Sequence, residues 1–197
     1  MRLEPWKLAL GSLSLSLMLV VLGCGDSPSL PTTTVQQPGG PAVTVALAAV
    51  ALAGDCGGGI SAKIAPTGGA CATNAPRCGC QQSNVQLKVS AGSGAGDVTF
   101  EIVRVRVLDH NSGAQLDQLT ARSPQKWSGT TYSVWDQKIA PLDDFTASYD
   151  MSAPNWTTLS PNGFMNTGYR VEVDLLIGGQ ARTVSLDGVT RESPIST

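Results

Sequence analysis

The chain has 197 residues, of which 14% are charged, with a formal net charge of −2 and a single histidine. A nearly neutral chain without clustered Lys and Arg is not built to bind a phosphate backbone, which excludes nucleic acid as a partner. The 22 glycines and the wealth of Val, Thr and Ser suit short strands joined by turns.

The chain opens with a basic head, Met1 to Lys7, followed by an apolar run from Leu8 to Leu22. That is the pattern of a secretory signal, and a run of roughly 15 residues is short of the ~20 that span a membrane. It closes on Val21-Leu22-Gly23-Cys24. This tetrapeptide resembles the lipobox of bacterial lipoproteins. The resemblance implies cleavage after Gly23, a signal peptide over residues 1–23, and diacylglycerol on Cys24 with a further acyl chain on its amino group. Each buried CH₂ contributes about 0.8 kcal/mol, so two or three chains anchor firmly where one exchanges. Gly25 after the cysteine, rather than an aspartate, implies the outer membrane by the same analogy. The alternative is an ordinary signal cut elsewhere, leaving Cys24 as a spare thiol. Loss of residues 1–23 removes Arg2, Lys7 and Glu4 and leaves a net charge of −3.

Residues 24–41 read as the lipidated cysteine and a flexible Gly/Pro-rich linker, with only Leu30 and Val35 able to reach a core. Fully extended, this linker spans up to ~50 Å. A β domain is expected over residues 42–197. Its first stretch, Ala42 to Ala53, is apolar almost throughout and is expected to be a long first strand, although its alanines also tolerate a helix. Residues 55–82 carry Cys56, Cys71, Cys78 and Cys80 without periodicity and form a cysteine-rich loop.

Strands resume at Asn84, where Val85, Leu87 and Val89 alternate with polar residues. Gly92 to Gly96 is a turn. Val98, Phe100 and Ile102 share one face, but Val103, Val105 and Val107 share the other. That phase error predicts a bulge near Ile102-Val103, or cover on both faces. Asn111-Ser112-Gly113 turns the chain towards Leu116 and Leu119. Tyr132, Val134 and Trp135 mark another strand, ended at Ile139-Ala140-Pro141. Phe145, Ala147, Tyr149 and Met151 alternate cleanly, and a long loop follows over 152–168. Last, Tyr169, Val171, Val173 and Leu175 enter a Gly178-Gly179 turn. If those glycines form the loop, Ile177 pairs with Gln180, Val173 with Val184, and Val171 with Leu186, while Glu172 meets Ser185 and Asp174 meets Thr183.

Seven or eight such strands predict an all-β, antiparallel β-sandwich with a disulfide-bonded loop. Tyr169, two residues before the core position Val171, resembles the tyrosine early on the penultimate strand of immunoglobulin-like and fibronectin-III-like domains. The resemblance implies a buried Tyr169 whose hydroxyl bonds to backbone in the preceding loop. It departs from true immunoglobulin domains in having no cysteine at Val171 or on the strand of Leu87. It implies no active site, because the fold serves many functions.

With Cys24 lipidated, four cysteines remain, an even number for an exported domain. Cys78 and Cys80 are too close to bond each other without strain, so both reach outwards. The expected pairs are Cys56–Cys80 and Cys71–Cys78, with Cys56–Cys78 and Cys71–Cys80 as the near alternative. The competing chemistry is a thiolate site for copper(I) or zinc at Cys78-Gly79-Cys80. No histidine is nearby and the spacing is not C-x₂-C, so disulfides are favoured and no metal or other cofactor is expected.

Enzymatic groups are scarce. His110 lies in the Asp109–Gly113 turn with no nucleophile beside it, and Asp143-Asp144 reads as a solvated turn rather than half of a carboxylate pair. Asp109 to Gly113 opens like a calcium loop, but Thr120 stands where the glutamate is needed. Gly92 to Asp97 is one copy of a nonapeptide that works only in tandem. The tryptophans are the best lead. Trp135 is expected to plug the end of the core, while Trp156, in a polar loop, is expected to be the most exposed, and Trp127 joins it as a candidate ligand contact. Exposed indoles stack on sugars or form a protein contact. The sequence therefore predicts a non-catalytic, membrane-anchored envelope lipoprotein whose partner is an envelope protein or a glycan.

Overall fold

Period-two alternation places the strands, since each inward side chain is followed by an outward one. The computed structural model describes residues 29–53, 78–79, 82–159, 168–192 and 195–196. In chain order, β1 is Thr32–Gln36, β2 Ala42–Ala51, β3 Cys78–Gly79, β4 Asn84–Ala91 and β5 Val98–Asp109. Then come β6 Gln115–Leu119, β7 Ala121–Trp127, β8 Tyr132–Val134, β9 Lys138–Ile139 and β10 Asp144–Met151. A one-turn helix, α1 (Trp156–Leu159), precedes β11 (Tyr169–Ile177), β12 (Gln180–Val189) and β13 (Ile195–Ser196).

Two antiparallel sheets form a sandwich-like all-β fold. The first has six strands in the order β1-β2-β4-β10-β7-β8, and the second runs β12-β11-β5-β6 with β9 added to the start of β5. These eleven strands exceed the seven or eight expected from the sequence. A separate pair joins β3 to β13.

Both inner faces supply one core. Val43, Val45 and Leu47 of β2, Val85, Leu87 and Val89 of β4, and Phe145, Ala147, Tyr149 and Met151 of β10 are all buried. Opposite them lie Val98, Phe100, Val105 and Val107 of β5 and every second residue of β11 from Tyr169 to Ile177. Each Val, Leu, Ile, Phe or Met among them contributes about 1.5–3 kcal/mol on burial. Trp135 plugs this core as expected: its ring lies 5.4 Å from Phe100 and 5.0 Å from Phe145, and its indole N–H donates to the Lys138 carbonyl at 2.9 Å. Burial pushes the Tyr149 hydroxyl above the ordinary tyrosine pKa, partly offset by its hydrogen bond with Gln137.

The phase error in β5 is a bulge. Leu175 pairs with Ile102 and Asp174 with Arg104, so Val103 has no opposite number and stands 59% exposed. The final hairpin adopts the anticipated register from Ile177↔Gln180 to Val171↔Leu186. Gly178 and Gly179 both have positive φ, 54° and 79°, as a tight two-residue turn requires. Tyr169 is buried and its hydroxyl donates to the Leu159 carbonyl at 3.0 Å, tying β11 to α1 in the preceding loop.

Two expectations need correction. Ala42–Ala51 is a strand but not the first: within the expected linker, Thr32–Gln36 pairs along β2 from Thr32↔Ala46 to Gln36↔Ala42. Fully buried Val35 holds it there, so residues 32–36 belong to the sheet and not to a linker. The second correction concerns β7, which the sequence reading passed over. Pro124 and the positive φ of Ser123 (52°) interrupt its alternation, and its pairing with β10 shifts register between Ser148 and Asp150.

Candidate functional site

Trp127 ends β7 and Tyr132 begins β8, and the short turn between them makes them cross-strand partners. The Ser128 amide and hydroxyl both donate to the Thr131 carbonyl at 3.1 Å, which closes the turn. The two rings lie 4.9 Å apart at 51°. They are 36% and 40% exposed, and Val134, two residues on, is 90% exposed. Alternation explains the exposure. Trp127 pairs with Thr146, whose neighbours Phe145 and Ala147 point into the core, so Thr146 and Trp127 lie on the outer face. Lys126 points the other way, its ammonium 4.1 Å from the Phe145 ring centre and 3.3 Å from Asp143. Among the described residues, β8 is the last strand on this side of the sheet.

A polar row runs beside the aromatic pair. Ser148 pairs with Gln86 on one side and Gln125 on the other, and Gln125 pairs with Val134. With Thr146, these residues form a face crossing β4, β10, β7 and β8.

The other tryptophan candidate is not such a site. Trp156, expected to be the most exposed, is half-buried: its indole N–H donates to the Ala53 carbonyl at 3.1 Å, and the Arg191 guanidinium lies 4.4 Å from its ring centre. Its polar loop is pinned against residues distant in the chain, a closure no local pattern reports. Tyr132 and Val134 are the contact residues the sequence reading did not single out. Their signal was the symmetry of Trp127 and Tyr132 about Ser128-Gly129-Thr130-Thr131.

The titratable candidates are occupied structurally. The Asp109 carboxylate accepts from the Asn111 and Ser112 amides and the Ser112 hydroxyl, bonds that hold its pKa below the ordinary aspartate value. His110 lies 3.3 Å from Asp187, which also takes a 2.7 Å hydrogen bond from Arg170. That bond lowers the Asp187 pKa and raises that of Arg170. Asp143 and Asp144 do not act together: Asp143 binds Lys126 and the Ala140 amide, while Asp144 pairs with Lys88. On the second sheet, Arg104 and Arg106 bracket Asp174, and Arg106 also meets Glu172 at 2.8 Å. Among the described residues, no three His, Cys, Asp or Glu side chains gather closely enough to hold a metal ion.

Cys24, Cys56, Cys71 and Cys80 lie outside the described residues; of Cys78 only the backbone is described, in β3 opposite Ser196. No protein-family model, curated protein or solved structure matches the chain.

Proposed function

We propose that the protein is a lipid-anchored envelope protein whose domain is a non-catalytic, immunoglobulin-like contact module. The observation that carries the contact role is the clustering of Trp127, Tyr132 and Val134, three of the six large exposed apolar side chains of the described residues, on one hairpin. The paired strands β7 and β8 hold this group, and the ionisable candidates are tied into turns and ion pairs. Anchorage rests on Val21-Leu22-Gly23-Cys24, with Gly25 favouring the outer membrane.

The immunoglobulin-like assignment is supported by strand order. In such domains strands A, B, E and D form one sheet and C, F and G the other. Here β2-β4-β10-β7 and β5-β11-β12 follow that order, with β6 alongside β5. The bond from Tyr169 to Leu159 supports it further. We assign Cys56–Cys80 and Cys71–Cys78 as disulfides in the exported chain. Peptide mapping without reduction tests them, and four free thiols would reopen the thiolate metal site.

Metabolic labelling with an alkyne fatty acid tests the anchor. The wild-type chain should take up label and partition with membranes, and Cys24→Ser should lose both. Unlabelled wild type would overturn the lipoprotein assignment.

A further inference from the structure

We propose that the Trp127–Tyr132 face binds a neutral polysaccharide, one or two pyranose rings resting on the aromatics and the chain running across the strands over Gln125, Ser148 and Gln86. This deepens the contact-module reading and rests on it.

Size is the first argument. A stable protein interface covers roughly 800 Å² per partner around an apolar centre. Two partly exposed rings and one valine offer a few hundred Å² at most, on the order of one or two sugar rings.

The second argument is the character of the surroundings. Among the described residues, the side chains of Gln86, Gln125, Thr146 and Ser148 make no hydrogen bond, although the registers align them with the aromatic pair. Uncharged amides and hydroxyls can both donate and accept, which matches sugar hydroxyls. Of the charged groups on this face, Lys88 pairs with Asp144, and Asp150, two residues beyond Ser148, stands opposite Arg122, so the charges balance and leave no net sign to select a charged ligand. A pyranose presents C–H groups on its face and hydroxyls around its rim, which this surface answers with rings and neutral polar groups respectively.

The test is co-sedimentation of the full mature chain, purified in detergent, with three insoluble neutral polysaccharides: chitin, cellulose and a linear β-1,3-glucan. The protein should pellet with at least one, and Trp127→Ala and Tyr132→Ala should each weaken binding about tenfold. Gln125→Ala should weaken it less, and Val103→Ala, at the bulge of the other sheet, should leave it unchanged. Circular dichroism and urea midpoints confirm that each variant is folded, and Tyr132→Ala, on the edge strand, keeps the test valid if Trp127→Ala unfolds. No sedimentation with any of the three, or sedimentation indifferent to both aromatic variants, would overturn the site. Fatty-acid labelling of the same preparation separates the two conclusions. A labelled chain that ignores all three overturns the glycan site alone, and an unlabelled chain that binds one overturns the anchor alone.

Discussion

Single residues carry opposite burdens here despite being of one type. Trp127 caps an exposed pair, whereas Trp156 holds the Ala53 carbonyl and lies under Arg191. Trp156→Ala should therefore cost roughly 2 kcal/mol, below the ~3–5 of a fully buried tryptophan. Trp127→Ala should stay within about 0.5 kcal/mol of wild type. Urea unfolding of both variants checks this, and equal losses would contradict the burial described. The bulge gives a sharper contrast between near neighbours. Val103→Thr should be neutral within about 0.5 kcal/mol, while Val105→Thr buries an unpartnered hydroxyl and should cost ~1–3 kcal/mol. A reversed order would mean that β5 is in the other register.

At the scale of elements, the β11–β12 turn and the charge ladder beside it govern stability. Gly178→Ala should be the more damaging change in the turn. Beyond a positive φ of 54°, its Cβ would sit 2.2 Å from Gln37 Nε2 and displace the bond from Gln37 to the Ile177 carbonyl. At Gly179 only the backbone conformation is strained, at about 1–2 kcal/mol. Thermal melts of the two variants measure the difference. Burial pushes the Asp174 carboxyl up, but hydrogen bonds from Thr183, Arg104 and Arg106 outweigh it, and the net pKa is lowered from 3.8. A carboxyl lowered in the folded state adds stability above its unfolded pKa of about 3.9 and loses it as pH falls through the folded value. Asp174→Asn should thus be less stable than wild type near neutrality, and the gap should narrow below pH ~4. Urea midpoints at neutral and acid pH would reveal a constant gap if the ladder contributed nothing. These elements also divide by how legible they were. The β11–β12 register could be read residue by residue because alternation and a two-glycine turn agree. β7 could not, since Pro124 and left-handed Ser123 break its period, and its contact pair depends on a partner across the turn. β1 was hidden by threonines between prolines, and only Val35 marked it as part of the sheet.

For the whole molecule, the arrangement of edges matters most. β1 and β8 are the two outer strands of the six-stranded sheet, so the strand that leads back towards Cys24 and the aromatic pair lie on opposite edges. Starting the chain at residue 40 should remove β1, uncover the site of Val35 and lower stability by roughly 2–3 kcal/mol, as measured by urea unfolding. Unchanged stability would return residues 32–36 to the linker.

That same strand has a mechanical consequence. On the proposed reading, a membrane pulls at Cys24 while a bound partner holds the far edge, so tension crosses the sheet at a right angle to its strands. Such a load peels β1 from β2 one pair at a time, beginning at Thr32↔Ala46, instead of shearing all five pairs together. Peeling releases residues 32–41 as slack and roughly doubles the reach of the seven residues that precede them. The first strand would then act as a reversible strain-relief coil, giving length under tension at the cost of withdrawing Val35, before the rest of the core bears force.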